Sequence, residues 1–222
     1  MGLYLGIDCS MRWTNMGLSD ESGVLVEMNV NAGKRQASLL PGMLSSLMSF
    51  GNVSISDITV LGVTVGPGFF TGIRIGMAFA VALAFASEKQ IVAIDSLEVM
   101  VQSAGKTGEI VAPVLKASRG NLFGAAYRIE CGGAMPLCDI RCCSPQEFCR
   151  GLEKMGAAYR ILAQDKESYD GLFTGSSSDI CYSFGRPGGG AVSELCRKKK
   201  NEAVCPSEIR AKYHRAPDVG KG

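Results

Sequence analysis

Apolar positions along the first hundred residues change period several times, and each change marks an element. Leu3–Cys9 is a short apolar run with Asp8 near its end. Asn15–Ser19 and Val24–Asn31 follow, parted by Asp20-Glu21-Ser22-Gly23, a composition suited to a hairpin turn. Leu39, Leu40, Met43, Leu44, Leu47, Met48 and Phe50 then recur at helical spacing. Pro41 is expected in the first turn of that helix, where its missing N–H breaks no hydrogen bond. After a loop over Gly51–Asp57, the run Thr59–Val65 reads as a strand. It stops at Gly66-Pro67-Gly68 and gives way to a helix ending near Ser87. Ile91–Ile94 predicts another strand and Ser96–Ser103 another helix.

Ala104-Gly105-Lys106-Thr107-Gly108 interrupts the pattern, which then starts again. Ile110–Ala117, Leu122–Ile129 and Met135–Cys142 predict three strands. Ser144-Pro145-Gln146-Glu147 matches a capping box with proline at the first helical position. That helix is expected to reach about Met155. Arg160–Ala163 and Leu172–Gly175 read as short strands, and Ala191–Lys200 as a helix. Each half therefore opens β-β-β-α-β, with the boundary placed between residues 104 and 105. Three antiparallel strands followed by crossover helices imply a mixed sheet covered by helices. The predicted class is α/β: two ribonuclease H-like units of the actin-type ATPase kind, over 1–104 and 105–222. Such an analogy gives a fold and leaves function open.

The junction at Val63–Gly76 carries the most local information. Gly66 and Gly68 tolerate backbone angles closed to other residues, and Pro67 fixes its own φ. Thr71 is the expected N-cap of the next helix. Such a turn is either a plain strand–helix junction or an anion site built from free amides. Within the helix, Gly72, Gly76, Ala80 and Ala84 recur every four residues and share one face. The other faces carry Ile73, Ile75, Met77, Phe79, Val81, Leu83 and Phe85. A helix apolar on all sides is buried or spans a membrane, and this one is far short of the roughly twenty residues a span needs. Its small-residue face suits close approach of another backbone, either the chain's own sheet or a helix of another subunit.

Composition adds little direction. The chain has 222 residues and a net charge of +2, so the total carries no strong nucleic-acid footprint. A modest basic cluster falls at Arg197–Lys200 and Arg210–Arg215. The nine cysteines form no C-x-x-C, and Cys131–Cys149 fits no standard zinc spacing. They read as reduced thiols acting as small hydrophobes. No basic n-region precedes the first apolar run, so no leader is expected and a cytoplasmic location is.

The chemistry on offer is sparse. Asp8-Cys9-Ser10-Met11 stands where an actin-type ATPase places its first phosphate loop, but without the glycine that lets amides close round a phosphate. Asp8 is thus either a metal–phosphate neighbour or the polar end of a buried strand. The one histidine, His214, cannot build a two-histidine metal site, and reads as a surface residue. No Walker A loop and no Gly-x-Ser-x-Gly elbow occurs. Two readings remain: a noncatalytic scaffold, or a weak nucleotide-binding ATPase or glycoprotease-like peptidase.

Several stretches taken together resemble the bacterial TsaB (also called YeaZ) family. They are GIDCS near the start, SLLPGM at Ser38–Met43, VGPGFFTGIRIG at Val65–Gly76 and IDSLEVM at Ile94–Met100. PVLKASRGNLFGAAY at Pro113–Tyr127 and RAKYHRAPD at Arg210–Asp218 continue the match in order. The resemblance implies a noncatalytic part in making threonylcarbamoyl-adenosine next to the anticodon of tRNA. It implies docking on a larger catalytic paralogue of the TsaD type, a TsaE-type ATPase joining the pair, and tRNA met through the complex. It further implies a homodimer when alone, no membrane and no cofactor. By position, the implied partner interface is Leu40, Met43, Leu44 and Leu47 with Gly72, Gly76, Ala80, Leu83 and Ala84. A nucleotide or phosphate contact would fall at Asp8, Ser10, Gly66, Gly68 and Thr71, with no catalytic residue and no metal ligand. Phe69 and Gln36 depart from the family pattern, which usually has serine and often histidine there.

Overall fold

The computed structural model describes residues 2–104, 106–131, 133–173, 182–185 and 187–214. Its first sheet is built from β1 (Leu3–Asp8), β2 (Thr14–Asp20), β3 (Gly23–Val30), β4 (Ile58–Gly66) and β5 (Gln90–Asp95), in the order β3-β2-β1-β4-β5. β1, β2 and β3 pair antiparallel, and β4 and β5 join β1 in parallel. Between them run α1 (Gln36–Gly51), α2 (Phe70–Ala86) and, after β5, α3 (Ser96–Ala104). The second sheet places β6 (Ile110–Lys116) between β7 (Leu122–Gly124) and β11 (Arg160–Ala163). β8 (Tyr127–Glu130), β9 (Gly133–Pro136), β10 (Arg141–Cys143) and β12 (Tyr182–Phe184) complete it. α4 (Pro145–Glu153), α5 (Lys166–Phe173) and α6 (Gly189–Lys198) are the remaining α-helices among the described residues. The expected class, two mixed sheets flanked by helices, is the one observed.

Period-two alternation explains the layers. Leu5 and Ile7 of β1, with Leu61, Val63 and Val65 of β4, enter one core under α1 and α2. Tyr4 of β1 and Val60 of β4 enter another, shared with Val92, Ile94, Val192, Leu195 and Cys196. That second face is covered by α6, so a helix from far along the chain packs on the first sheet. Four glycines make this close: a Cβ on Gly6 would lie 2.3 Å from the Ser193 nitrogen, and one on Gly17 would lie 2.1 Å from the Gly189 oxygen. Gly62 and Gly189 are crowded in the same way. α3 lies between the sheets, where Leu97, Met100 and Val101 meet Val111, Leu115, Tyr127 and Leu162.

Several expected details are corrected. α1 begins earlier than its apolar spacing indicates, and Pro41 sits inside it. Pro41 and Ala37 are both exposed there, so water can satisfy the carbonyl that proline leaves free. α2 begins at Phe70 behind an extended Phe69, with no side-chain cap, so Thr71 is not the N-cap. Leu122–Ile129 and Met135–Cys142 each divide into two strands. Leu172 and Phe173 belong to α5 rather than to a strand, because the period of Tyr169, Leu172 and Phe173 is helical and all three face the second core. Positions 174 and 175 of that expected strand lie outside the described residues. The capping box at Ser144 and Glu147 forms as read, with Glu147 N–H donating to Ser144 Oγ at 3.2 Å.

Candidate functional site

Asp8 ends β1 as a fully buried hub. Its Oδ1 accepts from Ser10 N–H at 2.8 Å, Ser10 Oγ at 2.6 Å and Thr64 Oγ1 at 2.7 Å. Its Oδ2 accepts from Asn15 Nδ2 at 2.9 Å. One carboxylate thus ties together β1, β2 and β4, as a buried charge requires. Asp8 and Ser10, expected as phosphate contacts, are corrected to structural groups: both are sealed from solvent and already bonded. Gln36 reinforces the same corner by donating to the Cys9 and Met11 carbonyls at 3.2 and 2.9 Å. The amide therefore acts as a clamp on the loop after β1. Burial, with the Asp8 charge beside it, pushes the Cys9 thiol up to about 12, so it stays protonated.

The Gly-Pro-Gly turn is locked onto that corner. Phe69 N–H donates to the Ser10 carbonyl at 2.7 Å. Gly68 adopts a φ of +156°, and a Cβ there would fall 2.2 Å from the same oxygen. Gly66, with φ +121°, is covered by the Lys212 carbonyl at 2.6 Å from the position of an added Cβ. The turn glycines thus serve close backbone contact; Gly66 is buried, and Gly68 is half-buried on the wall of a cavity. Thr71 is exposed.

A C-terminal strap holds the turn from outside. Lys212 N–H donates to the Val65 carbonyl at 2.8 Å. Arg74 Nε donates to the Tyr213 hydroxyl at 3.1 Å, and its guanidinium lies 3.8 Å over the Phe70 ring. The Phe70 and Tyr213 rings meet at a tilt of 36°, with centroids 4.9 Å apart. Nothing in the sequence pattern pairs Arg74 with Tyr213, which lie far apart in the chain. Beside this strap a cavity of about 550 Å³ opens between the two halves. Phe69, Phe70, Lys116, Gln164 and His214 are among the residues that line it. His214, expected at the surface, is corrected to a half-buried wall residue whose Nε2 has no partner. Of these, Lys116 and His214 lie in stretches that carry the family resemblance beyond the turn itself, and Gln164 lies in none.

The small-residue face of α2 turns inward. Gly72, Gly76, Ala80 and Ala84 are buried. A Cβ on Gly72 would come within 2.0 Å of the Cys9 carbonyl oxygen, and one on Gly76 within 3.1 Å of Cys9 Cβ. Leu40, Met43 and Leu47 enter the same core. The interface expected at these seven residues is therefore corrected: the close neighbour is the chain's own first strand. Leu44 and Leu83 are half-buried against that core. The face that α2 turns outward carries Arg74, Ala78, Ala82 and Phe85 at helical spacing, with Ile75 and Phe79 half-exposed beside them. Phe85 is 78% exposed and Phe50, at the end of α1, 74%.

The late basic cluster is largely spent within the chain. Lys199 pairs with Glu98 at 2.6 Å, Lys198 donates to Gln102 at 3.0 Å, and Lys200 to the Tyr4 hydroxyl at 3.2 Å. Among the described residues no group of three or more His, Cys, Asp or Glu side chains is placed to hold a metal ion. No helix among them is long and apolar enough to cross a membrane.

The fold and the turn-and-strap corner define an α/β protein of two mixed sheets flanked by helices, and comparison with known proteins narrows the class. A family model described as "TsaD: tRNA N6-adenosine threonylcarbamoyltransferase" matches residues 29–220. The tRNA threonylcarbamoyladenosine biosynthesis protein TsaB of Bacillus subtilis is 27% identical over 128 residues, covering 58% of this chain and 56% of the relative. Its Escherichia coli counterpart is 28% identical over 131 residues, with the same two shares. The chain therefore spans about half the length of the curated relatives it matches. A solved structure from Pseudomonas aeruginosa, an uncharacterized protein with similarity to peptidase YEAZ, superposes with a TM-score of 0.85 at 20% identity. It covers 97% of this chain and 100% of that one. At that identity it shows the shared fold. The chain belongs to the tRNA N6-adenosine threonylcarbamoyltransferase family and, within it, to the TsaB/YeaZ group.

Proposed function

We propose that the chain is a noncatalytic scaffold for threonylcarbamoyl-adenosine modification of tRNA, docking on a TsaD-type catalytic paralogue. The observation that carries the reading is the outward face of α2, where Ile75, Ala78, Phe79, Ala82 and Phe85 leave an apolar stripe at the surface. An aromatic ring as exposed as Phe85 gains by burial against a partner, as an unfilled interface anchor would. Membership of the family supplies the pathway. Consumption of Asp8 and Ser10 in internal hydrogen bonds supports the noncatalytic part. In this reading a TsaE-type ATPase and tRNA join through the pair, and the chain alone self-associates through the same stripe.

Co-purification with the cognate paralogue, followed by a tRNA modification assay, tests the proposal. Omitting the chain is expected to abolish or strongly reduce modification. Phe85→Glu is expected to lose the complex while keeping its fold. Unchanged modification without the chain would overturn the scaffold reading. Turnover of ATP or a peptide by the purified chain alone would overturn the noncatalytic one.

A further inference from the structure

The strap over residues 209–214 closes on a carboxylate that is poorly placed to carry charge. Asp95 ends β5 opposite Gly66, where the Gly-Pro-Gly turn begins. Its Oδ1 is buried without a hydrogen-bond partner, and so is the hydroxyl of the neighbouring Ser96. A carboxylate oxygen cut off from water and left unpaired is costly to ionise. The strap crosses this point from outside. Ile209 anchors it in the first core, Lys212 N–H donates to the Val65 carbonyl at 2.8 Å, and the Lys212 carbonyl lies over Gly66. Beyond Ile209 the hold is shallow, since Arg210, Lys212 and Tyr213 are exposed.

Four charged or titratable groups face Asp95. They are Lys212 from the strap, Glu98 from α3, Lys199 from just past α6 and Tyr127 from β8. Glu98 and Lys199 already pair with each other at 2.6 Å, and burial keeps the Tyr127 hydroxyl protonated. Lys212 is thus the main cation offered to Asp95, and it does not make up for the lost water. Burial pushes the Asp95 pKa from 3.8 up to about 6, against the Lys212 charge, with Glu98 adding to the rise and the Leu97 amide and Lys199 opposing it. The strap carries a second titrating group, His214, which burial and then the Lys212 charge hold below the ordinary 6.5. Its Nε2 is also buried without a partner. Both groups therefore suit the seated strap best when uncharged.

We propose that Asp95 is a proton-operated latch on the strap: with its carboxyl protonated the strap stays seated on β4, and ionisation favours a form in which residues 210–214 lift while both sheets stay folded. Lifting brings water to the Asp95 carboxylate. It also takes Tyr213 off Phe70 and Arg74, so it changes what the first turn of α2 presents. The sign follows from proton linkage. Between about pH 4 and pH 6 the seated form holds the proton that the lifted form gives up, so lifting becomes easier as pH rises and levels off above that range. His214 works the other way, since its protonation favours lifting as pH falls below 6.5. The latch rests on the strap alone, and its failure would leave the docking reading untouched.

Hydrogen exchange at the Lys212 amide of the full chain tests this, because lifting the strap frees that N–H from the Val65 carbonyl. Each rate is divided by the intrinsic rate at its pH. At pH 7.5, where His214 is neutral, the Lys212 amide is expected to exchange faster than the buried amides of β4. Asp95→Asn should slow it by at least about fivefold, and a shift of roughly two units sets a ceiling of about a hundredfold. In the His214→Gln chain, opening should grow by at least about fivefold between pH 4 and pH 7, and adding Asp95→Asn should remove that growth. If Asp95→Asn fails to fold, the pH series of the His214→Gln chain decides alone. Lys212 exchanging no faster than the β4 amides at pH 7.5 would overturn the proposal, since the strap would then leave only by global unfolding. So would a smaller effect of Asp95→Asn, faster exchange in that variant, or a flat pH series in the His214→Gln chain.

Discussion

Glu27 Oε2 accepts the backbone N–H of Gly190 at 2.8 Å, joining an edge strand of the first sheet to the first turn of α6. Asn29 Oδ1 takes the neighbouring Gly189 N–H at the same distance. Gly188, the N-cap residue of α6, has no side chain to do this. Two side chains of β3 therefore cap a helix that begins more than 150 residues later, and a carboxylate at a helix N-terminus also favours the dipole. Glu27→Ala should lower stability by about 1 kcal/mol, with a smaller loss for Glu27→Gln. Thermal unfolding of the two variants checks the order. Equal, negligible shifts would mean that the contact contributes nothing in solution.

Close backbone contact gives a harsher test of the same packing. An added methyl on Gly6 or Gly17 meets backbone atoms of α6 at 2.3 and 2.1 Å, and backbone cannot rotate away as a side chain can. Gly6→Ala and Gly17→Ala should each cost at least the 1–3 kcal/mol or so usual for overpacking. Gly42→Ala, where nothing lies within 4 Å, should be neutral or stabilising, because alanine favours a helix interior. Denaturant midpoints would rank the three. A Gly17 variant as stable as the Gly42 variant would show that α6 does not seat on β1 and β2.

The sequence pattern disclosed the first sheet well because its strands and turns are local signals. Leu3–Asp8, Ile58–Gly66 and the hairpin at Asp20–Gly23 announce themselves by alternation and by turn residues. The destination of α6 was hidden, since an apolar helix face does not say which sheet it meets. The same limit explains α2. Its four-residue repeat of small side chains was visible, but whether they faced a partner or Cys9 depended on packing seen only in three dimensions. Thr71 was misplaced as a cap because Phe69 N–H bonds to Ser10, and the helix starts two residues sooner. Gln164 and Arg12 lie in no motif, and only the fold brings them to one cavity.

Asp95 makes stability depend on pH in a direction opposite to most carboxylates. Burial raises its pKa from 3.8 to about 6, partly opposed by the Lys212 charge and reinforced by Glu98. Its Oδ1 is buried without a partner. The folded protein thus holds a proton there over a range in which the unfolded chain has lost it. Between about pH 4 and pH 6 the folded state is the more protonated, so this group's contribution to stability falls as pH rises. Above pH 6 the penalty is constant, at most about 3 kcal/mol from a shift of roughly two units. Asp95→Asn should therefore raise the melting temperature at pH 7.5 and have little effect at pH 3.5. A variant less stable than the parent at pH 7.5 would show the charge to be favourable in place.

The two sides of α2 separate folding from docking. Ala80 is fully buried in the first core, and Gly76 lies against Cys9. Ala80→Leu and Gly76→Leu have no room to expand, so both should destabilise the monomer by about 1–3 kcal/mol or more. Whatever remains folded should still bind a TsaD-type partner with normal affinity. Ala82 and Phe85, exposed on the opposite side, should behave the other way. Ala82→Arg and Phe85→Glu add charge where water already reaches, so melting should move by no more than about 0.5 kcal/mol. If this side is the docking surface, the new charge is buried unpaired in the complex, and affinity should drop by at least tenfold, or about 1.4 kcal/mol. The decisive measurement is the ratio of the two effects in each variant: melting temperature of the free chain against dissociation constant for the partner. Loss of binding in folded Ala80→Leu, with Phe85→Glu binding unimpaired, would move the docking surface off the outer stripe.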